Sequence, residues 1–282
     1  LGFLLFFVDG LGWNENPRTN PILKGNYPHL EKLVAGPEEG RLLIADASLN
    51  CSGLPQSATG QTALFTGVNP IPRVGGHRSG FPGPTLIDII KEHSLLKKID
   101  DRGLKSTFAN AYTHNFTWEN IRWASVTTYM VLAAGQKFRN LDDLRRGQAV
   151  YQEFTNQDLR ERGFEVPLFS PLQAADNLLN IVTLNDLTIY EFFQTDIAGH
   201  RNDREFSYQV LKNLDQFLGR LIAGLPPDLT LIISSDHGNV EDDTTPLHTL
   251  NPVPVLALGP AAAAFDEVQK ITDIAPIIQE LM

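Results

Sequence analysis

The chain has 282 residues, 42% of them apolar and 20% charged, a balance that fits one sizeable globular α/β domain or a core with a small inserted subdomain. A formal net charge of −10 argues against a nucleic-acid groove or an anionic membrane surface as partner, and no apolar run approaches the roughly 20 residues needed to span a bilayer. The single cysteine, Cys51, excludes an internal disulfide framework and fits a reducing compartment, so a cytoplasmic location is expected.

Taken in order, the chain opens on an apolar run, Gly2–Val8. Leu1–Val8 has the content of a signal-peptide core but neither a basic leader nor a small-residue cleavage site, so it reads as a buried first strand. Because the chain starts at Leu1 and not Met, an upstream targeting segment stays open. The run ends at Asp9, with Gly10 and Gly12 close behind. An acid at a strand end beside glycines is where an α/β sheet places ligand-binding groups, although the same residue is also a good helix N-cap. Tyr27–Leu33 reads as a short helix and Arg41–Ser48 as a second strand. Ser57 then precedes a helix start within GLPQSATGQTALFTG, residues 53–67. A hydroxyl there stands in the positive end of the helix dipole, a setting that favours an alkoxide nucleophile and the anion it attacks. A capping serine is the plain alternative, and Thr59 and Thr62 compete for either role.

A Pro/Gly-rich loop, Asn69–Pro84, carries Arg73, His77 and Arg78, and helical spacing resumes over Thr85–His93. After the turn Asp101–Gly103, Leu104–Ala111 reads as a strand. From about Tyr112 to Val166, segments such as FTWENIRW lose the strand–helix alternation, which suggests an inserted cap over residues 113–166 between core portions 1–112 and 167–282. Pro171–Ile181 then reads as a helix and Leu187–Phe193 as a strand leading into TDIAGH. Its Asp196-x-x-x-His200 spacing puts both side chains on one face of a helical turn, a weak pattern taken alone. Glu205–Ala223 keeps amphipathic spacing and stops at Gly224, before Pro226 and Pro227.

Leu229–Ser235 is apolar or small, as in a buried parallel strand, and Asp236, His237, Gly238 and Asn239 follow it. Just past a strand end, with Gly238 freeing the backbone, Asp236 and His237 can converge on one target. His248 follows an acidic loop and precedes a further strand, Asn251–Leu258. A closing helix is expected over Ile271–Met282. The alternation predicts a mostly parallel sheet sandwiched by helices. In such sheets ligands gather beyond the carboxyl ends of the strands, where Asp9, Asp196, His200, Asp236 and His237 all fall.

Charge sharpens this reading. Three clustered buried carboxylates without basic partners are severely penalised, whereas two divalent cations bring +4 against their −3. Such a site attracts a phosphate dianion, and mixed Asp/His ligation suits Zn²⁺ or Mn²⁺, with Mg²⁺ a further candidate. The segments FVDGLG, GLPQSATG, TDIAGH, SSDHGNVED and HTLNPVPVL, in that order, resemble the metal and nucleophile motifs of the alkaline phosphatase superfamily. The wording is closest to the branch holding cofactor-independent phosphoglycerate mutase and phosphopentomutase, over Leu1 to about Tyr112 and about Pro167 to Met282.

The resemblance implies one metal held by Asp9, Ser57, Asp236 and His237, and a second held by Asp196, His200 and His248, with Ser57 becoming a phosphoserine. Arg73, His77, Arg78, His114 and Arg201 are candidates for gripping a small phosphorylated substrate. The chain is shorter than either mutase, and a reduced cap admits water. A phosphatase is therefore the leading expectation, followed by a phosphomutase, a phosphodiesterase or nucleotide pyrophosphatase, and a non-catalytic metal-binding relative. Sulfatase chemistry is disfavoured, because Ser57 lacks the surrounding C/S-x-P-x-R pattern.

Overall fold

The computed structural model describes residues 2–282. Its six strands are β1 (Gly2–Val8), β2 (Arg41–Ala45), β3 (Ser106–Phe108), β4 (Leu187–Phe192), β5 (Leu229–Ser234) and β6 (Val253–Leu258). They form one sheet in the order β2-β6-β5-β1-β4-β3. β1 pairs in parallel with both β4 and β5, and β3 pairs in parallel with β4. β6 alone runs against the rest, antiparallel to both β5 and β2. The α/β architecture with a mostly parallel, helix-flanked sheet is therefore as the sequence predicted.

Among the described residues, seven helices reach eight residues or more: α1 (Ser57–Thr66), α2 (Pro84–His93), α3 (Val126–Ala133), α4 (Pro171–Val182), α5 (Gln194–Arg201), α6 (Arg204–Ala223) and α7 (Ile274–Leu281). Their local signals are those of ordinary helix ends. Ser170 and Gln173 form a capping box with Pro171 at the first turn of α4, and Asp203 caps α6 by accepting from the Glu205 and Phe206 amides. Strand β1 shows why the sheet is covered on both sides. Phe3, Leu5 and Phe7 point into one apolar layer with residues of α1, α3 and α7, while Leu4, Phe6 and Val8 point into the other with residues of α4 and α6.

Several boundaries differ from the sequence reading; the closing helix, for instance, is a 3-10 turn over Ile271–Asp273 before α7, and β6 starts at Val253. Tyr27–Leu33 is a turn preceding a single helical turn at Lys32–Ala35, because Pro28 disfavours helical geometry at Tyr27. β2 stops at Ala45, and β3 is only Ser106–Phe108. Beyond β3, single bridges join Asn110 to Val150 and Ala111 to Arg139, so the strand-like run there is shared with residues 139–150. Residues 113–166 hold α3 and two short helices, Leu141–Arg145 and Gln157–Glu161. α3 contributes Val126, Tyr129 and Met130 to the layer beside the sheet. Leu144, Ala149, Tyr151, Leu159 and Val166 form a small apolar cluster of their own with Ala111. No helix of the described residues is long and apolar enough to cross a membrane.

Candidate metal centre

The reversal of β6 shapes the site. A strand antiparallel to β5 begins at the edge where β5 ends, so His248, ahead of β6, lies at the same end of the sheet as Asp236 and His237, just after β5. β1 and β4 end there as well, delivering Asp9 and, through the first turn of α5, Asp196. Glycines permit the close approach. A Cβ at Gly10, whose φ is +67°, would lie 2.8 Å from Asp196 Oδ1, and one at Gly60 would lie 2.6 Å from the Asp236 carbonyl.

Ligand atoms of Asp9, Asp236 and His237 come within 4.8 Å of one another, as do those of Asp196, His237 and His248. His237 thus belongs to both groups, and its ring stacks on that of His248 with centroids 3.7 Å apart. His200, on the exposed side, has its Nε2 3.1 Å from His248 Nε2 and 3.5 Å from Asp196 Oδ2. His200 and His248 each direct Nδ1 at a backbone carbonyl, of Pro246 and Pro55 respectively, both at 2.7 Å. An Nδ1–H donated there leaves Nε2 free as a ligand.

Ser57 Oγ is 3.0 Å from His237 Nε2. Ser57 is the first residue of α1, and the N-cap position falls to Gln56, so the serine hydroxyl is turned into the cluster. Thr59 and Thr62 send their hydroxyls to the carbonyls of Gln56 and Ala58. Asp9 caps no helix; Gln61 donates to its Oδ2 at 3.2 Å, and Thr195 donates to its carbonyl at 2.6 Å.

The electrostatics are those of a site short of positive charge. Burial, reinforced by Asp236, Asp196 and Glu191, holds the Asp9 carboxyl well above the usual carboxylate range. Burial and Asp196 push Asp236 up to about 7. His237, buried and beside His248, is driven down to about 3 and stays neutral. For Asp196, burial acts upward, but the contacts from His248, His237 and Asn239 prevail and hold it low. Burial acts downward on His248, and Asp196 with the Pro55 carbonyl outweighs it and raises the imidazole. Asp9 Oδ1, Asp236 Oδ2 and His237 Nδ1 are buried without a hydrogen-bond partner. Orphaned carboxylate oxygens at this depth are costly unless a cation meets them. The donor set, carboxylate oxygen with imidazole nitrogen, fits a pair of divalent ions.

The substrate-gripping candidates lie outside this cluster. His77 touches Thr59 Oγ1 at 3.4 Å, one turn into α1, and burial lowers its pKa. Arg78 donates to the carbonyls of His77 and Val74 in its own loop, and Arg73 is exposed. His114 lines a cavity of about 690 Å³ with Tyr112, Phe116, Phe138 and Arg145. Arg201 stacks over Phe206 beside a second cavity of about 510 Å³. None of the seven candidate ligands lines either cavity.

Several neighbours were given no role by the sequence reading, although Asn239 and Glu241 lie within SSDHGNVED. Glu191 lies buried at the end of β4, accepts from Thr127 Oγ1 at 2.8 Å, and is pushed up to about 7 by burial. Asn239 donates to Asp196 Oδ1 at 3.0 Å, and a Cβ at Gly199 would lie 2.2 Å from the Asn239 amide oxygen. Glu241, fully buried, reads in sequence as the first acid of a solvated loop.

The chain belongs to the Metalloenzyme superfamily, whose family profile matches residues 2–282. It is similar to the 2,3-bisphosphoglycerate-independent phosphoglycerate mutase of Desulforudis audaxviator, 32% identical over 124 residues, which are 41% of this chain and 24% of that one. The enzyme of the same name from Halobacterium salinarum is 30% identical over 129 residues, 42% of this chain and 25% of that one. The aligned stretch therefore spans about a quarter of each relative's length. Among solved structures, PH0037 from Pyrococcus horikoshii superposes with a TM-score of 0.60 at 17% identity, covering 99% of this chain and 96% of the other. Alkaline phosphatase from the Antarctic bacterium TAB5 gives 0.59 at 13% identity, covering 99% and 97%. The resemblance read from the motifs is borne out at the level of superfamily and fold.

Proposed function

We propose that the protein is a metal-dependent phosphoryl-transfer enzyme, and specifically a phosphomonoesterase that works through a phosphoserine at Ser57. The observation that carries this reading is the Ser57 hydroxyl at the N-terminus of α1, 3.0 Å from His237 and beside two groups of carboxylate and imidazole atoms, the first of which holds the orphaned Asp9 Oδ1, Asp236 Oδ2 and His237 Nδ1. Asp9, Asp236, His237 and Ser57 would hold one divalent ion, and Asp196, His200 and His248 the other. His237, common to both clusters, sits at their junction. Bound cations of the Zn²⁺ or Mn²⁺ type lower the pKa of a serine hydroxyl and neutralise charge on the transferring phosphoryl group.

Ser57 Oγ forms the bond to phosphorus as the bond to the ester oxygen breaks; its proton passes to solvent and the alcohol leaves protonated. Water then cleaves the serine–phosphate bond, restoring the hydroxyl and releasing inorganic phosphate. In the first turn of α1 the Thr59 N–H is taken by the Arg78 carbonyl, and the Ser57 and Ala58 N–H groups would meet the anion during both steps. Residues 113–166, read as a reduced cap, leave that second step open to water. His77, adjacent to Thr59, is the best placed of the five substrate-gripping candidates.

The test is turnover of p-nitrophenyl phosphate by protein loaded with Mn²⁺ or Zn²⁺, with bis(p-nitrophenyl) phosphate alongside to separate monoester from diester chemistry. Release of nitrophenol by the parent and its loss in Ser57→Ala are expected; a parent that hydrolyses neither ester overturns the reading. A second reading, return of the phosphoryl group to the same substrate, is favoured by the mutase names of the sequence relatives. Interconversion of 3- and 2-phosphoglycerate faster than phosphate release would select it.

A further inference from the structure

We infer that Glu241 is a positioning residue for the cation site, a carboxylate that bonds to no candidate ligand side chain yet ties together three ligand-bearing segments, two through backbone N–H groups and one through side chains. The inference rests on the reading of the site as a cation centre. Glu241 is fully buried, whereas the next two acids, Asp242 and Asp243, are only partly so. It accepts four hydrogen bonds, all from neutral donors, and its two oxygens divide the work. Oε2 takes the Gly12 amide at 2.9 Å and the Asn239 amide at 2.7 Å. Oε1 takes the Thr249 hydroxyl and the Asn251 side-chain amide, the latter at 3.0 Å.

Each donor belongs to a segment that carries candidate ligands. Gly12 lies three residues after Asp9, Asn239 two after His237, and Thr249 one after His248. The Asn239 side chain extends the network to a fourth segment through Asp196 Oδ1. The backbone is also cleared for this carboxylate. A Cβ at Gly12 would lie 2.3 Å from Glu241 Oε1, and one at Gly238 would lie 2.4 Å from the same atom. Two positions without side chains and four convergent donors define a fitted socket, and no substrate or solvent reaches it.

Orientation of ligand loops from outside the coordination sphere has a measurable signature, because losing it weakens metal binding roughly 10–100-fold. Glu241→Gln keeps the shape but replaces one acceptor oxygen with an NH₂ donor. Facing Gly12 and Asn239, that NH₂ meets two backbone N–H donors and breaks the link; facing the other way, it forces the Thr249 hydroxyl and the Asn251 amide to turn from donors into acceptors, so the link to the His248 segment is rearranged. Thr249→Val removes only the link to the His248 segment.

The experiment titrates chelator-treated parent, Glu241→Gln and Thr249→Val with Mn²⁺ alone by calorimetry, alongside the melting temperature of each chelated protein. The expected result is Mn²⁺ binding roughly 10–100-fold weaker in Glu241→Gln and less weakened in Thr249→Val. Turnover of p-nitrophenyl phosphate by both variants should return towards the parent's kcat at saturating Mn²⁺. Unchanged Mn²⁺ affinity with a lowered melting temperature would make Glu241 merely structural and overturn the inference. Should Glu241→Gln not fold, unchanged affinity in Thr249→Val overturns it equally. A parent that binds no Mn²⁺ sinks both this inference and the proposed function; a parent that binds while Glu241→Gln binds equally well sinks only this one.

Discussion

At the carboxyl end of the sheet, residues from Asp9 to His248 meet within hydrogen-bond distance across more than two hundred positions of sequence. Residues 113–166 are held differently. α3, Val150 and Phe154 pack into the layers beside the sheet, but the short helix Leu141–Arg145 rests on a local cap, Asn140 with Asp143, and on the small cluster around Leu144. Both regions expose some apolar surface: Leu247 and Leu250, on either side of His248, are 58% and 70% exposed, and Trp123 is 77% exposed against Phe81. Long-range, glycine-cleared contacts make the first region intolerant of change. Local contacts make the short helix around Leu144 a place where sequence can vary without disturbing the centre, as loops on a rigid scaffold do.

The largest effect that sharpens this contrast is expected at Ser57, the proposed nucleophile. Ser57→Ala should lower kcat for an aryl phosphate by roughly 10³-fold or more, with metal stoichiometry retained. A variant that turns over like the parent would separate the cluster from the chemistry.

Next comes pH. In metal-stripped protein, Asp236 and Glu191 titrate near 7, and Asp9 and His248 are also raised, so the folded state binds more protons than the unfolded one above pH 6.5. Their stabilising contribution is complete at low pH and is lost as pH rises through their folded values. His237, depressed to about 3, and His77, also lowered, oppose this slope near their ordinary value of 6.5, where the unfolded imidazoles are still partly protonated, but the four raised groups outweigh them. The melting temperature of stripped protein should therefore fall between pH 6.5 and 8 at constant ionic strength. Added Mn²⁺ should raise it more at pH 8 than at 6.5, because bound protons compete with the cation. A stripped protein that gains stability over that interval contradicts the assignment of buried, proton-holding carboxylates.

Substitutions in the other region should act on stability alone. Leu144→Ala, at a fully buried position, should cost about 2–4 kcal/mol in denaturant unfolding while leaving Mn²⁺ affinity unchanged. Trp123→Ala should change stability by less than about 0.5 kcal/mol and leave metal content intact. A loss of metal in either variant would show that the two regions are coupled after all.

The sheet was legible because its strands are short apolar runs with turn residues at both ends, and β1, β4 and β5 are buried on both faces. Candidate ligands could be picked out because each follows or precedes such a run, and two of them, Asp236 and His237, are adjacent. Other features had no local signature. The antiparallel direction of β6, which brings His248 alongside β5, is a property of pairing and leaves no mark in a six-residue apolar strand. Glu241 sits in an acidic stretch whose composition matches a solvated loop, and its burial depends on donors from residues 12, 239, 249 and 251 together. Pro28 did carry a signal against helix in Tyr27–Leu33, but the apolar spacing of that segment masked it.

The central claim is that the sheet's carboxyl end binds a pair of divalent cations through these seven side chains. Anomalous diffraction from crystals soaked in Mn²⁺ or Zn²⁺ tests it most directly. Two peaks are expected, one bounded by Asp9, Asp236, His237 and Ser57, the other by Asp196, His200 and His248. Strong peaks elsewhere on the molecule, with no density between Asp9 and Asp236, would contradict it.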